Sequence, residues 1–70
     1  MSAYLVVIEG DGDFYSGYCP DLPGCVAAGD SPAEVTQLMR EAIPLRVESL
    51  RSHGEPIPEP RTRVEYVEAV

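Results

Sequence analysis

Gly29-Asp30-Ser31-Pro32-Ala33-Glu34 marks the point where the chain passes from strands to helix. Ser31 carries the side-chain oxygen of an N-cap. Pro32 takes the first helical position, where its missing N–H costs nothing, and Glu34 stands three residues after the cap to complete a capping box. Downstream, Val35, Leu38, Met39, Ala42, Ile43, Val47 and Leu50 recur at close to a helical repeat and predict one buried face. Arg46 falls within that face, so its stem is expected to pack while its guanidinium reaches solvent or an acid. Pro44 lies opposite the stripe. An interior proline removes one helical hydrogen bond and costs roughly 3 kcal/mol in an exposed helix, so the sequence predicts a helix bent around a sheet, with two helices broken at Ile43 as the alternative. The helix ends at His53-Gly54, glycine supplying the left-handed cap.

Upstream, Tyr4-Leu5-Val6-Val7-Ile8 is β-branched and aromatic, too short for a helix, and bounded by Gly10-Asp11-Gly12. It predicts a strand apolar on both faces. A hairpin connection rich in glycine and aspartate leads to a second strand, Phe14-Tyr15-Ser16-Gly17-Tyr18, antiparallel to the first. Pro20-Asp21-Leu22-Pro23-Gly24 cannot continue a ladder, because its prolines lack donors, and predicts a rigid turn in which Gly24 takes a conformation other residues resist. Cys25-Val26-Ala27-Ala28 is a short third strand. Beyond the helix, proline at every second position of Glu55-Pro56-Ile57-Pro58-Glu59-Pro60 makes a stiff extended spacer. Arg63 to Val70 alternates as a last strand, with Thr62, Val64, Tyr66 and Val70 on one face. The predicted class is α+β, a single β-β-β-α-β domain over residues 1–70.

Seventy residues build only a thin core, since a chain of this size buries about 60% of the surface it exposes when unfolded. Cys19, Cys25 and the sole histidine, His53, cannot supply a structural zinc site. Self-association, most simply a symmetric dimer, is the expected remedy. Cys19 and Cys25 are expected to stay reduced. The start Met-Ser-Ala-Tyr lacks a basic region ahead of an apolar run, and no apolar run approaches a membrane-spanning length, so a cytoplasmic protein is expected. Twelve acids against five arginines and no lysine give a formal charge of −7. Such a balance disfavours direct contact with nucleic acid or anionic lipid and suits a basic partner.

Chemistry finds little support in the same residues. Asp11-Gly12-Asp13 opens like a calcium loop, but Ser16 stands where the loop requires glycine and Leu22 where it requires its last carboxylate. Cys25 and His53 are the only conceivable nucleophile–base pair, and nothing orients His53. Glu9, Asp13 and Asp21 are candidates for holding Mg²⁺ by position alone, and solvated turn acids are the simpler account. No cofactor, metal or catalytic residue is expected. Tyr4, Tyr15, Tyr18 and Tyr66 suit either half-buried sheet positions or interface anchors.

Taken in order, Tyr4-Leu5-Val6-Val7-Ile8-Glu9, Phe14-Tyr15, Pro20-Asp21-Leu22-Pro23-Gly24-Cys25, Gly29 to Glu34, Glu41-Ala42-Ile43 and Gly54 to Pro60 make the chain resemble the HicB-like antitoxins of bacterial toxin–antitoxin systems. The resemblance implies a partial ribonuclease H fold without the nuclease's catalytic acids. It also implies the neutralisation of a HicA-type toxin, a small mRNA-cleaving ribonuclease with a histidine in its active site. Many members add a C-terminal DNA-binding segment; here the sequence stops at Val70, so no such domain and no autorepression are expected. The alternatives are an oligomeric adapter or sensor module without a toxin, and a residual metal-dependent nuclease. The expected partner contacts are Asp11, Asp13 and Asp21 for charge, with Tyr15 and Leu22 as anchors. Pro20, Pro23, Gly24, Ser31, Glu34 and Gly54 are expected to serve the fold.

Overall fold

The computed structural model describes residues 3–70. Three strands, β1 (Val7–Gly10), β2 (Tyr15–Tyr18) and β3 (Val26–Gly29), form an antiparallel meander in the order β1-β2-β3, followed by one helix, α1 (Pro32–Ser52). The α+β class and its β-β-β-α order are therefore those the sequence predicts. The first ladder starts later than the apolar run suggests. Val7 pairs with Tyr18 and Gly10 with Tyr15, while Tyr4, Leu5 and Val6 lead into β1 without ladder partners.

The register sorts side chains between two faces, because alternate strand residues point opposite ways. Ile8, Gly17 and Ala27 lie in one cross-strand row, and Val7, Tyr18 and Val26 in the next. The first row faces α1. Gly17 allows the approach: a Cβ there would stand 2.6 Å from Val35 Cγ1. Around this contact Leu22, Cys19, Cys25, Val35, Met39 and Leu50 form the buried core. Full burial of Val35, Met39 and Leu22 contributes about 1.5–3 kcal/mol each, a large share for so small a domain. Helix α1 lies over β2 and β3 and leaves β1 largely outside its footprint.

Both helix ends are closed as their sequence requires. Ser31 Oγ accepts from the Glu34 N–H at 3.1 Å, and Pro32 opens the first turn. The Glu34 carboxylate reaches back one residue further than a capping box prescribes, accepting from the Asp30 N–H at 2.9 Å. At the other end the Glu55 N–H donates to the Leu50 carbonyl and the Gly54 N–H to that of Arg51, with Gly54 at φ 68°. These two bonds are the Schellman closure. Pro44 neither breaks α1 nor divides it: the 21-residue helix is continuous, and Pro44 sits on its exposed side where the freed Arg40 carbonyl can meet water. Of the predicted stripe, Leu38 is more exposed than its spacing implies. Arg46 is exposed, near Cys25.

The closing strand expected over 63–70 is not laddered. Residues 55–70 form no helix or strand. The proline-rich spacer runs back across the ends of the strands, where Ile57 packs on the core and the Tyr4 hydroxyl donates to the Pro58 carbonyl. From Arg61 to Val70 every residue is exposed. The radius of gyration, 13.6 Å, exceeds the roughly 11 Å of a compact chain of this length, as a projecting end requires.

Candidate functional site

The five residues expected to meet a partner divide between opposite ends of β2. Asp11, Asp13 and Tyr15 belong to the β1–β2 hairpin end; Asp21 and Leu22 belong to the β2–β3 turn, beyond a strand of four residues. They do not make one edge.

At the hairpin, Asp11 Oδ1 accepts from the N–H groups of Asp13 and Phe14 at 3.0 and 3.1 Å. Those donors, Asp13 first, hold the Asp11 carboxyl below its ordinary range, so it stays ionised. Asp13 is exposed, and Phe14 beside it is exposed as well. Tyr15 is half-buried, its ring lying against Gly10 so closely that a Cβ on Gly10 would fall on Cδ1. The hairpin end thus presents two fixed acids beside an exposed aromatic ring. Phe14 stands outside the partner contacts expected from sequence, because only the register shows which of the two adjacent aromatics points inward.

At the other end the structure spends both residues internally. Leu22 is 1% exposed and lies in the core, which removes it as an anchor for a partner. The turn folds around it: the Leu22 N–H donates to the Cys19 carbonyl, and the Cys25 N–H to that of Leu22. Gly24 takes φ 85°, the left-handed conformation its position predicts. Asp21 is a clamp. It accepts from the N–H groups of Thr62 and Arg61 at 3.1 and 3.2 Å and from the Thr62 hydroxyl at 3.0 Å. The Thr62 N–H contributes most to holding the Asp21 carboxyl below its usual range. Sequence alone offers no signal for this contact, which spans forty residues.

Cys25 is not poised as a nucleophile. Burial, together with the nearby Cys19, pushes the Cys25 thiol up, and both cysteines are free thiols. His53 caps the helix, its Nδ1 lying 2.7 Å from the Ser49 carbonyl oxygen. Among the described residues no three of His, Cys, Asp and Glu gather as a metal site, so Glu9, Asp13 and Asp21 do not converge. Among them, too, no helix is long and apolar enough to cross a membrane.

Apolar surface is open on both sides of the sheet. On the sheet face away from α1, Val7, Tyr18 and Val26 form a row in which Tyr18 and Val26 are exposed. Between β1 and the helix, Tyr4, Val6, Thr36, Met39, Arg40 and Ile43 line a cavity of about 200 Å³.

A family model described as the HicB-like antitoxin of bacterial toxin–antitoxin systems matches residues 4–70. Among curated proteins, the UPF0150 protein ssr1765 of Synechocystis sp. is 41% identical over 56 residues, covering 79% of this chain and 71% of that protein. The UPF0150 protein Ta0767 of Thermoplasma acidophilum is likewise 41% identical over 56 residues, covering 79% and 81%. An uncharacterised 14.9 kDa protein from the rep-hol intergenic region of Haemophilus phage HP1 is 33% identical over 64 residues. This chain covers 48% of the phage protein's length. No solved structure matches.

Proposed function

Because the chain belongs to the HicB-like antitoxin family, we propose that it is a cytoplasmic, non-enzymatic binding protein that neutralises a small basic HicA-type ribonuclease by direct contact, and that it does so as a homodimer. The observation that carries this reading is the family match over residues 4–70, and the hairpin end supports it. Asp11 and Asp13 are acids whose charge the fold secures or leaves in solvent, and they immediately precede exposed Phe14 and half-buried Tyr15. Acids at such a tip speed encounter with a basic surface, and adjacent aromatic rings supply lasting affinity. Asp21 and Leu22 are left out of this contact because the fold consumes them.

The test pairs this chain with the product of the adjacent open reading frame, if that product is short, basic and contains histidine. The expected result is RNA cleavage by the product alone and its loss at equimolar antitoxin. Double reversal, Asp11→Lys with Asp13→Lys, slows association and flattens its salt dependence, whereas Phe14→Ala mainly speeds dissociation. Unimpeded cleavage in the presence of this chain refutes the reading and favours an adapter module without a toxin.

A further inference from the structure

The most apolar run of this protein, Tyr4 to Ile8, leads into an edge strand. Val7 and Ile8 pair with β2 alone, and Tyr4, Leu5 and Val6 pair with no strand, so one edge of the run is open along its length. All five residues from Tyr4 to Ile8 are only half-buried. The cavity lined by Tyr4, Val6, Thr36, Met39, Arg40 and Ile43 lies on the same side, beneath the free edge and beside the helix. A fourth strand along β1 would place alternate side chains into it.

The chain contains a segment of that description and does not use it. Residues 63–70 form no helix or strand and are exposed, with Tyr66 96% and Val67 87% accessible and Val64 also open. Val64 and Tyr66, two residues apart, share one face of an extended chain. Within one copy the segment leading to the arm is held at Tyr4 through Pro58 and at the β2–β3 turn through Thr62 and Asp21, and residues 63–70 beyond it pair with no strand. Charge does little to oppose such pairing, since residues 63–70 carry Arg63 against Glu65 and Glu68, a formal −1 of the chain's −7.

We propose that residues 63–70 of one copy add as a strand to the free edge of β1 in a second copy, reciprocally, with Val64 and Tyr66 entering the cavity beside α1. The exchange closes one exposed edge per copy and makes a symmetric, isologous dimer. It rests on the homodimer of the preceding reading and is independent of the toxin.

Sedimentation equilibrium of the full chain over a concentration series tests it, with Tyr66→Asp, Val64→Asp and Val26→Asp as variants. The arm is solvated within a single copy, so the first two leave the monomer folded, as circular dichroism should verify. The expected result is a wild-type dimer whose dissociation constant rises by at least about tenfold in either arm variant and is unchanged in Val26→Asp, on the open face. A wild-type monomer at high concentration overturns both the exchange and the homodimer. A dimer that survives both arm substitutions overturns the exchange alone, and loss in Val26→Asp alone moves the interface to the open face.

Discussion

Residues 3–60 and residues 61–70 solve opposite problems. The body closes on itself: its helix ends are capped, its turn is folded around a buried leucine, and its core gathers Cys19, Leu22, Cys25, Val35, Met39 and Leu50. The arm carries valines and a tyrosine in an alternating pattern and buries none of them. Apolar pattern alone therefore does not decide burial in this protein; the segment must also be brought against a core or a strand edge, and beyond the Asp21 contact the arm meets neither.

The largest expected effect lies in the body. Leu22→Ala removes a fully buried side chain and should cost about 2–5 kcal/mol, enough to unfold much of a marginal domain, whereas Tyr66→Ala should change the monomer's stability by less than about 0.5 kcal/mol. Thermal melts of dilute protein compare them, and equal losses would erase the distinction between body and arm. Gly24→Val comes next. A β-branched residue at φ 85° is strained by about 1–2 kcal/mol, several degrees in melting temperature for a domain of this size.

Asp21→Ala sharpens the boundary itself. The sequence gives no reason for it to matter, but the structure makes Asp21 the acceptor that fixes Arg61 and Thr62, so the variant should release the arm while the core melts nearly as before. Nuclear magnetic resonance of the Arg61 and Thr62 amides reports this. The same contact depends on pH. The folded-state pKa of Asp21 is depressed, so its contribution is fully present above the ordinary carboxylate value, about 3.9, and is lost as pH falls through the folded value. Those two amides should shift in acid before the core amides do, and a shift shared by all of them would mean global unfolding instead. Smallest is Asp13→Asn, a change at an exposed side chain that makes no hydrogen bond among the described residues, expected to leave stability and dimerisation alone; a measurable loss of either would show that the hairpin end belongs to the fold.

Local signals were legible wherever the chemistry is local. Ser31, Pro32, Glu34 and Gly54 set the helix ends within a residue of their observed positions, and Pro20 to Gly24 forms its turn as the prolines demand. What sequence did not disclose is non-local. Pro44 is tolerated because it faces solvent on a helix otherwise held by its packed side. Leu22, flanked by proline and aspartate in a turn, looks exposed, and only the fold of the turn over the core shows that it is buried. The Asp21–Thr62 contact follows from a chain reversal that no short-range pattern encodes, and it is what separates the predicted partner acids into one clamp and one exposed hairpin pair.

Amide hydrogen exchange of the full-length chain at two concentrations, one well above and one well below the dimer's dissociation constant, tests most directly that the body is self-sufficient and the arm is not. Protection along β2 should be nearly the same at both, while amides of residues 63–68 should be protected at the higher concentration and lose that protection on dilution. Arm amides that exchange as an unfolded chain at both concentrations, or stay equally protected at both, would contradict the account.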